Sequence, residues 1–344
     1  MEVTTSVEFS ARPGPPVLDV VAIGNALVDV IATADDELVE RLGLVKSSMT
    51  LVDLDRSQTI YAAMGPTVEI SGGSAANTIA GVASLGGKAG FAGKVAEDQF
   101  GEVFRHDFTQ QDVELDLAIV APSDGGTGRC HVLVTPDAQR TMATHLGVAN
   151  TLVPGDLAGS LFSRTRLTYL EGYLFDLPPA KQALREAIEH THAADGLVAL
   201  SLSDSFCVER HRKDFLELVT SQVDVVFANE AEARALFRAT DLAQALAAFD
   251  EAGVLAAVTL GPRGVAIVVP AGTVEVPACE VDIVVDANGA GDLFAAGFLY
   301  ALSQGGDPVE AARLGSICAA EVIVHTGARP MADLAELATA EGLL

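Results

Sequence analysis

Positive charge is scarce in this sequence. Its 344 residues hold 21 lysines and arginines against 47 aspartates and glutamates, a net charge of −26. Such a chain repels polyanions, so neither nucleic acid nor an anionic membrane is expected as a partner. Cysteine is scarce too: Cys130, Cys207, Cys279 and Cys318 are scattered with no C-x-x-C pair. That speaks against a disulfide or zinc framework and fits reduced thiols in the cytoplasm. No apolar run is long enough to span a membrane, and no charged-then-apolar signal segment opens the chain. No G-x-G-x-x-G follows the first apolar strand, which sets aside a nicotinamide dehydrogenase. Gly93-Lys94 is not a Walker loop, because Lys88 and Val95 stand where glycine and Ser/Thr are required. An acidic protein that handles a phosphate must therefore concentrate few cations and backbone N–H dipoles at one place.

What is present is enough for one large domain, with 49% hydrophobic residues. Residues 1–16 are polar and proline-rich and read as a disordered tail. The domain proper is expected over 17–344. Val17–Ile23 reads as a strand, and Leu27–Ile31 continues it with one acid, Asp29, inside an apolar run. From Leu167 onward strands (167–170, 197–202, 223–228, 255–259) alternate with helices of about ten residues or more, the pattern of parallel βαβ units. Strands between about 30 and 70, with Leu115–Val120 and the hairpin-like Gly128–Thr135 up to 146, read as a separate small sheet.

Asp286-Ala287-Asn288-Gly289-Ala290-Gly291-Asp292 organises the rest. An apolar β-type run (Val281, Ile283, Val284, Val285) precedes it. An amphipathic helix follows, with Leu293, Phe294, Gly297, Phe298, Ala301 and Leu302 at helical spacing. Strand, glycine turn and helix together make an anion hole of free N–H groups aided by the helix dipole. Asp292 then sits beside the expected phosphate, as a base or as an N-cap. The dipole is expected to lower its pKa. A second glycine turn, Gly72-Gly73 with Asn77 on the following helix, lets the backbone approach a ligand at a helix N-terminus, but on its own reads first as a tight turn capped by Ser74.

D-A-N-G-A-G-D-L-F-A-A-G-F over 286–298 resembles the C-terminal signature of ribokinase-like (PfkB) carbohydrate and nucleoside kinases. The usual form is D-T-x-G-A-G-D, with Ala287 here in place of threonine. The resemblance covers nearly the whole chain after the tail and is closest to the bacterial adenosine-kinase-like branch. It implies an α/β fold, a three-layer doubly wound mainly parallel sheet with a small β-sheet lid. It implies ATP and Mg²⁺ as cofactors, with K⁺ as a further candidate. Asp292 becomes the base, with Gly289, Ala290 and Gly291 as the anion hole and Arg140 reaching the phosphates when the lid closes. Asp29 (in G-x-x-x-x-D), Gly72, Gly73 and Asn77 become substrate contacts. Gly172 and Phe206 join them, the latter as an aromatic packing on a purine. Asn229 and Glu232 match N-x-x-E, linked to Mg²⁺ through water; Thr259, Gly261 and Gly264 match T-x-G-x-x-G, which with His325 lies by ATP. Asp286 and Asn288 match positions whose carbonyls bind a monovalent cation. The acceptor implied is a nucleoside, adenosine first; a sugar such as ribose or fructose is the alternative, and a non-catalytic binding protein a third reading that the intact Asp292 disfavours. The expected assembly is a monomer or homodimer.

Overall fold

The computed structural model describes residues 18–137, 139–270 and 272–344; the tail expected over 1–16 lies outside them. In chain order the strands are β1 (Leu18–Ile23), β2 (Leu27–Thr33), β3 (Met49–Leu51), β4 (Val68–Gly72), β5 (Ala89–Ala96), β6 (Glu114–Val120), β7 (Gly128–Val134), β8 (Arg140–His145), β9 (Thr165–Glu171), β10 (Leu197–Ser201), β11 (Val225–Asn229), β12 (Leu255–Thr259), β13 (Val265–Val269) and β14 (Gly272–Val276). The helices are α1 (Asp36–Arg41), α2 (Leu54–Ala63), α3 (Ser74–Ser84), α4 (Gln99–Gln110), α5 (Pro178–Ala193), α6 (Ser205–Ser221), α7 (Glu230–Phe237), α8 (Leu242–Ala252), α9 (Ala290–Ser303), α10 (Pro308–Ile323) and α11 (Leu334–Ala340).

One nine-stranded sheet runs β14-β13-β12-β11-β10-β9-β1-β5-β6. Every pairing in it is parallel except β12–β13 and β13–β14. Its strands are apolar on both faces because both faces are covered. Val20 and Ala22 of β1 join a core with α3, α4, α9, α10 and α11, whereas Val21 and Ile23 join the opposite core with α5 to α8. This is the expected three-layer, doubly wound α/β architecture. The order reverses at β1, with β5 on one side and β9 on the other, and ligands of such sheets gather outside the strand ends at a reversal of this kind.

A five-stranded sheet, β3-β8-β7-β2-β4, is separate from the first. Leu38 and Val39 of α1, Leu42 directly after α1 and Ile60 of α2 pack beneath it on Leu133 and Ala143. Two expectations are corrected. The strand near 115 is not part of this sheet: β6 pairs parallel with β5 and finishes the large sheet. Its alternation was real, but alternation does not say which edge a strand joins. The apolar run 281–285 forms no strand, and Ile283 and Val284 are 68% and 58% exposed. Its backbone hangs on the end of α10 instead, with Val285 and Asp286 N–H donating to the Ile323 carbonyl at 2.8 and 3.2 Å.

Candidate active site

Two helix N-termini converge because the helices between them approach closely. A Cβ on Gly81 of α3 would lie 2.6 Å from the Ala296 Cβ of α9, and one on Gly297 would lie 2.8 Å from the Gly315 backbone of α10. Small residues therefore set the spacing, and α3 and α9 bring their first turns together. There Asp292 accepts from Ser74 Oγ at 2.6 Å and from Asn77 Nδ2 at 2.9 Å, and Thr78 Oγ1 donates to the Asp292 carbonyl at 3.1 Å. Asp292 is thus not an N-cap. Gly289, in the left-handed region at φ +80°, caps α9 with no side-chain bond. Ser74 is not a cap either: Gly73 holds that position at φ +100°, and the Ser74 hydroxyl faces the acid.

The pKa of Asp292 is raised, by burial first; the bonds from Ser74 and Asn77 and the charge of Arg329 pull the other way. The expectation from the dipole alone, a lowered value, is corrected: removal from water outweighs it. Asp29 lies nearby in the middle of β2. A Cβ on Gly72 would sit 2.7 Å from its carboxylate, so the glycine exists here to admit the acid. Burial pushes Asp29 up to about 6, against the pull of Arg329 and Arg140 and with a further push from Asp292.

Several residues here escaped the sequence reading. Glu171, at the end of β9, accepts from Asn25 Nδ2 at 2.6 Å and from the Ala75 N–H at 3.0 Å, so it caps α3 in place of a residue of its own. Burial lifts it to about 7. Gly24 is needed because a Cβ there would come within 2.5 Å of Glu171 Oε2. Arg329 bonds Ser71 and Ala76. The buried oxygens Asn25 Oδ1 and Asn77 Oδ1 have no hydrogen-bond partner among the described residues. Buried polar atoms are normally paired, and both can accept from a ligand hydroxyl. These links join residues 96 or more positions apart, and no local period signals them.

The turn at 286–292 and the small sheet also meet. Arg140 Nη1 lies 2.6 Å from the Asp286 carboxylate with both side chains buried, and Arg140 Nη2 is a buried donor without a partner among the described residues. The Asp286 carboxylate also accepts from the Asn288 and Gly327 N–H groups at 3.1 and 3.2 Å. Gly289 packs on the same C-terminal turn, where a Cβ would lie 2.7 Å from the Ala328 Cβ. At Gly291 a Cβ would meet nothing within 4 Å. The space in front of the first turn of α9 is therefore open.

A second group lies at the ends of β11 and β12, where Asn229 and Thr259 are paired in register. Asn229 and Glu232 form a capping box: each backbone N–H is taken by the other's side chain, at 2.9 Å both ways. Burial raises Glu232 to about 7. Gly261 and Gly264 have positive φ, and a Cβ on Gly264 would lie 2.1 Å from the Val276 carbonyl, so that glycine answers a packing need. No hydrogen bond among the described residues joins this group to the Asp292 cluster. His325 contacts Glu321 Oε1 at 3.2 Å at the end of α10. Gly172 is buried beside Ser201 and Ser203. Phe206, in the first turn of α6, is 71% exposed and is no core residue. Lys94 is neither a surface charge nor free, being buried and paired with Asp156 at 2.9 Å.

Among the described residues no cluster of three or more His, Cys, Asp or Glu could hold a metal by itself. No helix among the described residues is long and apolar enough to cross a membrane.

Comparison with known proteins agrees with this fold. Adenosine kinase of Saccharomyces cerevisiae is 30% identical over 329 residues, 89% of this chain and 95% of that one. The crystal structure of adenosine kinase from Sinorhizobium meliloti is 46% identical with a TM-score of 0.86, covering 94% of this chain and 99% of that one. A probable sugar kinase from Rhizobium etli is 40% identical with a TM-score of 0.88, covering 96% and 100%. Residues 18–334 match the pfkB carbohydrate kinases, and the chain belongs to that family of ATP-dependent enzymes acting on an alcohol group.

Proposed function

We propose that the chain transfers the γ-phosphoryl group of ATP to the 5′-hydroxyl of adenosine. The observation that carries this reading is the Asp292 carboxylate, held by Ser74 and Asn77 beside the open first turn of α9. In this reading the turn's N–H groups take the phosphoryl oxygens, and Asp292 accepts the hydroxyl proton. Asp29, the Gly73 turn and Asn77 hold the ribose diol, with Asn25 Oδ1 as a further acceptor. Gly172 borders the same pocket, and Phe206 offers a face to the base. Arg140 turns its spare Nη2 toward the phosphates, and the lid excludes water. Asn229, Thr259, Gly261, Gly264 and His325 line the ATP side. Mg²⁺ would neutralise phosphate charge there, with Glu232 reaching it through water; the carbonyls of Asp286 and Asn288 are the candidates for K⁺. The adenosine kinase from S. meliloti supports the nucleoside. The R. etli relative supports the second reading, a sugar acceptor with the same chemistry. Turnover of adenosine, inosine, guanosine, cytidine, ribose and fructose with Mg²⁺, with and without K⁺, separates them. A free sugar with the highest kcat/KM would sink the nucleoside reading and leave Asp292 in place.

Activity should fail in acid before the fold does. Asp29 must be ionised to accept two hydroxyl bonds, so kcat/KM should fall about tenfold per pH unit below about 6, the value burial gives it. The folded value lies above the unfolded one, so this carboxyl makes the fold more stable as pH drops through that window. Glu171 and Glu232, both near 7, act in the same sense. His131, held at about 4 by burial, acts oppositely between its unfolded value and 4. Rate and thermal midpoint measured together from pH 8 to 5 should diverge; a midpoint falling in step with the rate would count against the assignment.

The net charge gives a further expectation. At low ionic strength a chain of −26 repels ATP, so kcat/KM for MgATP should rise, by up to about tenfold, on adding salt. Tetramethylammonium chloride from 10 to about 150 mM, roughly the physiological screening regime, tests this without mixing in K⁺. A falling rate would mean that attraction by the site outweighs the overall field.

A further inference from the structure

We propose that Arg329 is a positioning residue for the transfer: it clamps both ends of the substrate turn 71–76 and is the buried countercharge to the carboxylates of Asp29 and Asp292. The inference rests on the kinase reading above. Its guanidinium donates from Nε to the Ser71 carbonyl at 2.8 Å, from Nη2 to Ser71 Oγ at 3.0 Å and from Nη1 to the Ala76 carbonyl at 2.9 Å. Between those anchors lie Gly72, which admits Asp29, Gly73, which caps α3, and Ser74, which holds Asp292. One residue earlier, Ala328 packs on Gly289 of the anion turn. A single turn of chain thus ties the phosphate side of the site to the substrate side. The guanidinium also lies over the Phe108 ring at 4.9 Å.

The energetics call for an explanation that packing does not give. All three hydrogen-bond acceptors are neutral, and a charge 9% exposed with no carboxylate bonded to it is costly. Burial pulls Arg329 down to about 10, and Asp29, Asp107 and Asp292 act against that pull. In return Arg329 favours the ionised form of both Asp29 and Asp292. The other charged or titratable groups facing these two acids are Arg140 of β8, Cys130 of β7, Glu171 and Tyr169 of β9, and Tyr173. Of these only Arg140 is cationic, and it is already bonded to Asp286. Lysine could supply the charge but not the planar fork that reaches Ser71 and Ala76 at once.

Charge and fork can be separated with Arg329→Gln and Arg329→Lys, using the best acceptor of the substrate panel. Arg329→Gln should move the acid limb of kcat/KM up by about one pH unit and raise KM about tenfold or more, the cost of one lost charged bond. Arg329→Lys should return the limb to the wild-type pH while KM stays raised. If Arg329→Gln fails to fold, Arg329→Lys decides alone: a wild-type KM overturns the clamp. A limb that does not move in folded Arg329→Gln, with activity lost only in proportion to thermal stability, overturns the electrostatic part. Calorimetric binding of adenosine across pH gives the same comparison without turnover. A wild-type protein that binds but transfers nothing would fail the kinase reading and leave this one measurable.

Discussion

Asp292→Asn is expected to keep the fold and ATP binding and to lose kcat by about 10²-fold or more. The side chains are nearly isosteric. Ser74 Oγ can donate to an amide oxygen as it does to Oδ1. The amide nitrogen would face Asn77 Nδ2, but Asn77 Oδ1 has no partner among the described residues, so a turn of that amide restores an acceptor. Removing a buried charge whose protonated form burial already favours should leave the thermal midpoint unchanged or raised. What is lost, in the proposed reaction, is the proton acceptor. Burial makes the wild-type carboxylate a better base than an exposed one, and Ser74 and Asn77 fix its direction. The acid limb that remains in this variant should be that of Asp29. Single-turnover rates beside calorimetric ATP binding check the expectation. Near-normal kcat would remove Asp292 from the chemistry, and loss of ATP binding would make it a structural acid of the turn.

The parts of this site that were legible in the sequence are those built from neighbouring residues. The turn at 286–292 is local, because glycines before an amphipathic helix announce an open N-terminus. Asp29 stood out as an acid in an apolar strand, and Gly72-Gly73 as a turn opening a helix. The capping box of Asn229 and Glu232 is local as well, legible from the Asn-x-x-Glu spacing. Glu171, Asn25 and Arg329 were not legible in the same way. Glu171 reads as the last residue of a buried strand, yet it caps a helix that begins 97 positions earlier in the chain, through Ala75 (residues 74 and 171). Arg329 sits in a short turn after α10 and acts on a loop at 71. Such contacts are set by which strand ends the sheet order brings together, and β1 beside β9 is a consequence of the whole topology. The exposed run Ile283–Val285 is the reverse case. Apolar composition there suggested a strand, but a strand requires an edge, and the turn before α9 is instead suspended from α10.

Gly291→Ala should separate function from stability most cleanly. Gly289 cannot serve, because its φ of +80° and its approach to Ala328 make any side chain costly to the fold. Gly291 has neither constraint: its φ is not positive, and a Cβ would touch nothing within 4 Å. Within a helix alanine is favoured over glycine by up to about 1 kcal/mol, so on protein grounds alone the glycine is a loss. That loss makes sense if the empty space is filled during the reaction by the group that the first-turn N–H donors hold. A methyl there would push a phosphoryl group outward by about 1 Å, and displacements of that size cost ~10²-fold in rate. The expected result is a thermal midpoint equal to or above wild type with kcat reduced about 10²-fold. An active variant would mean that the transferring group does not rest on this turn. A variant both inactive and destabilised would mean that the space is already used by the protein.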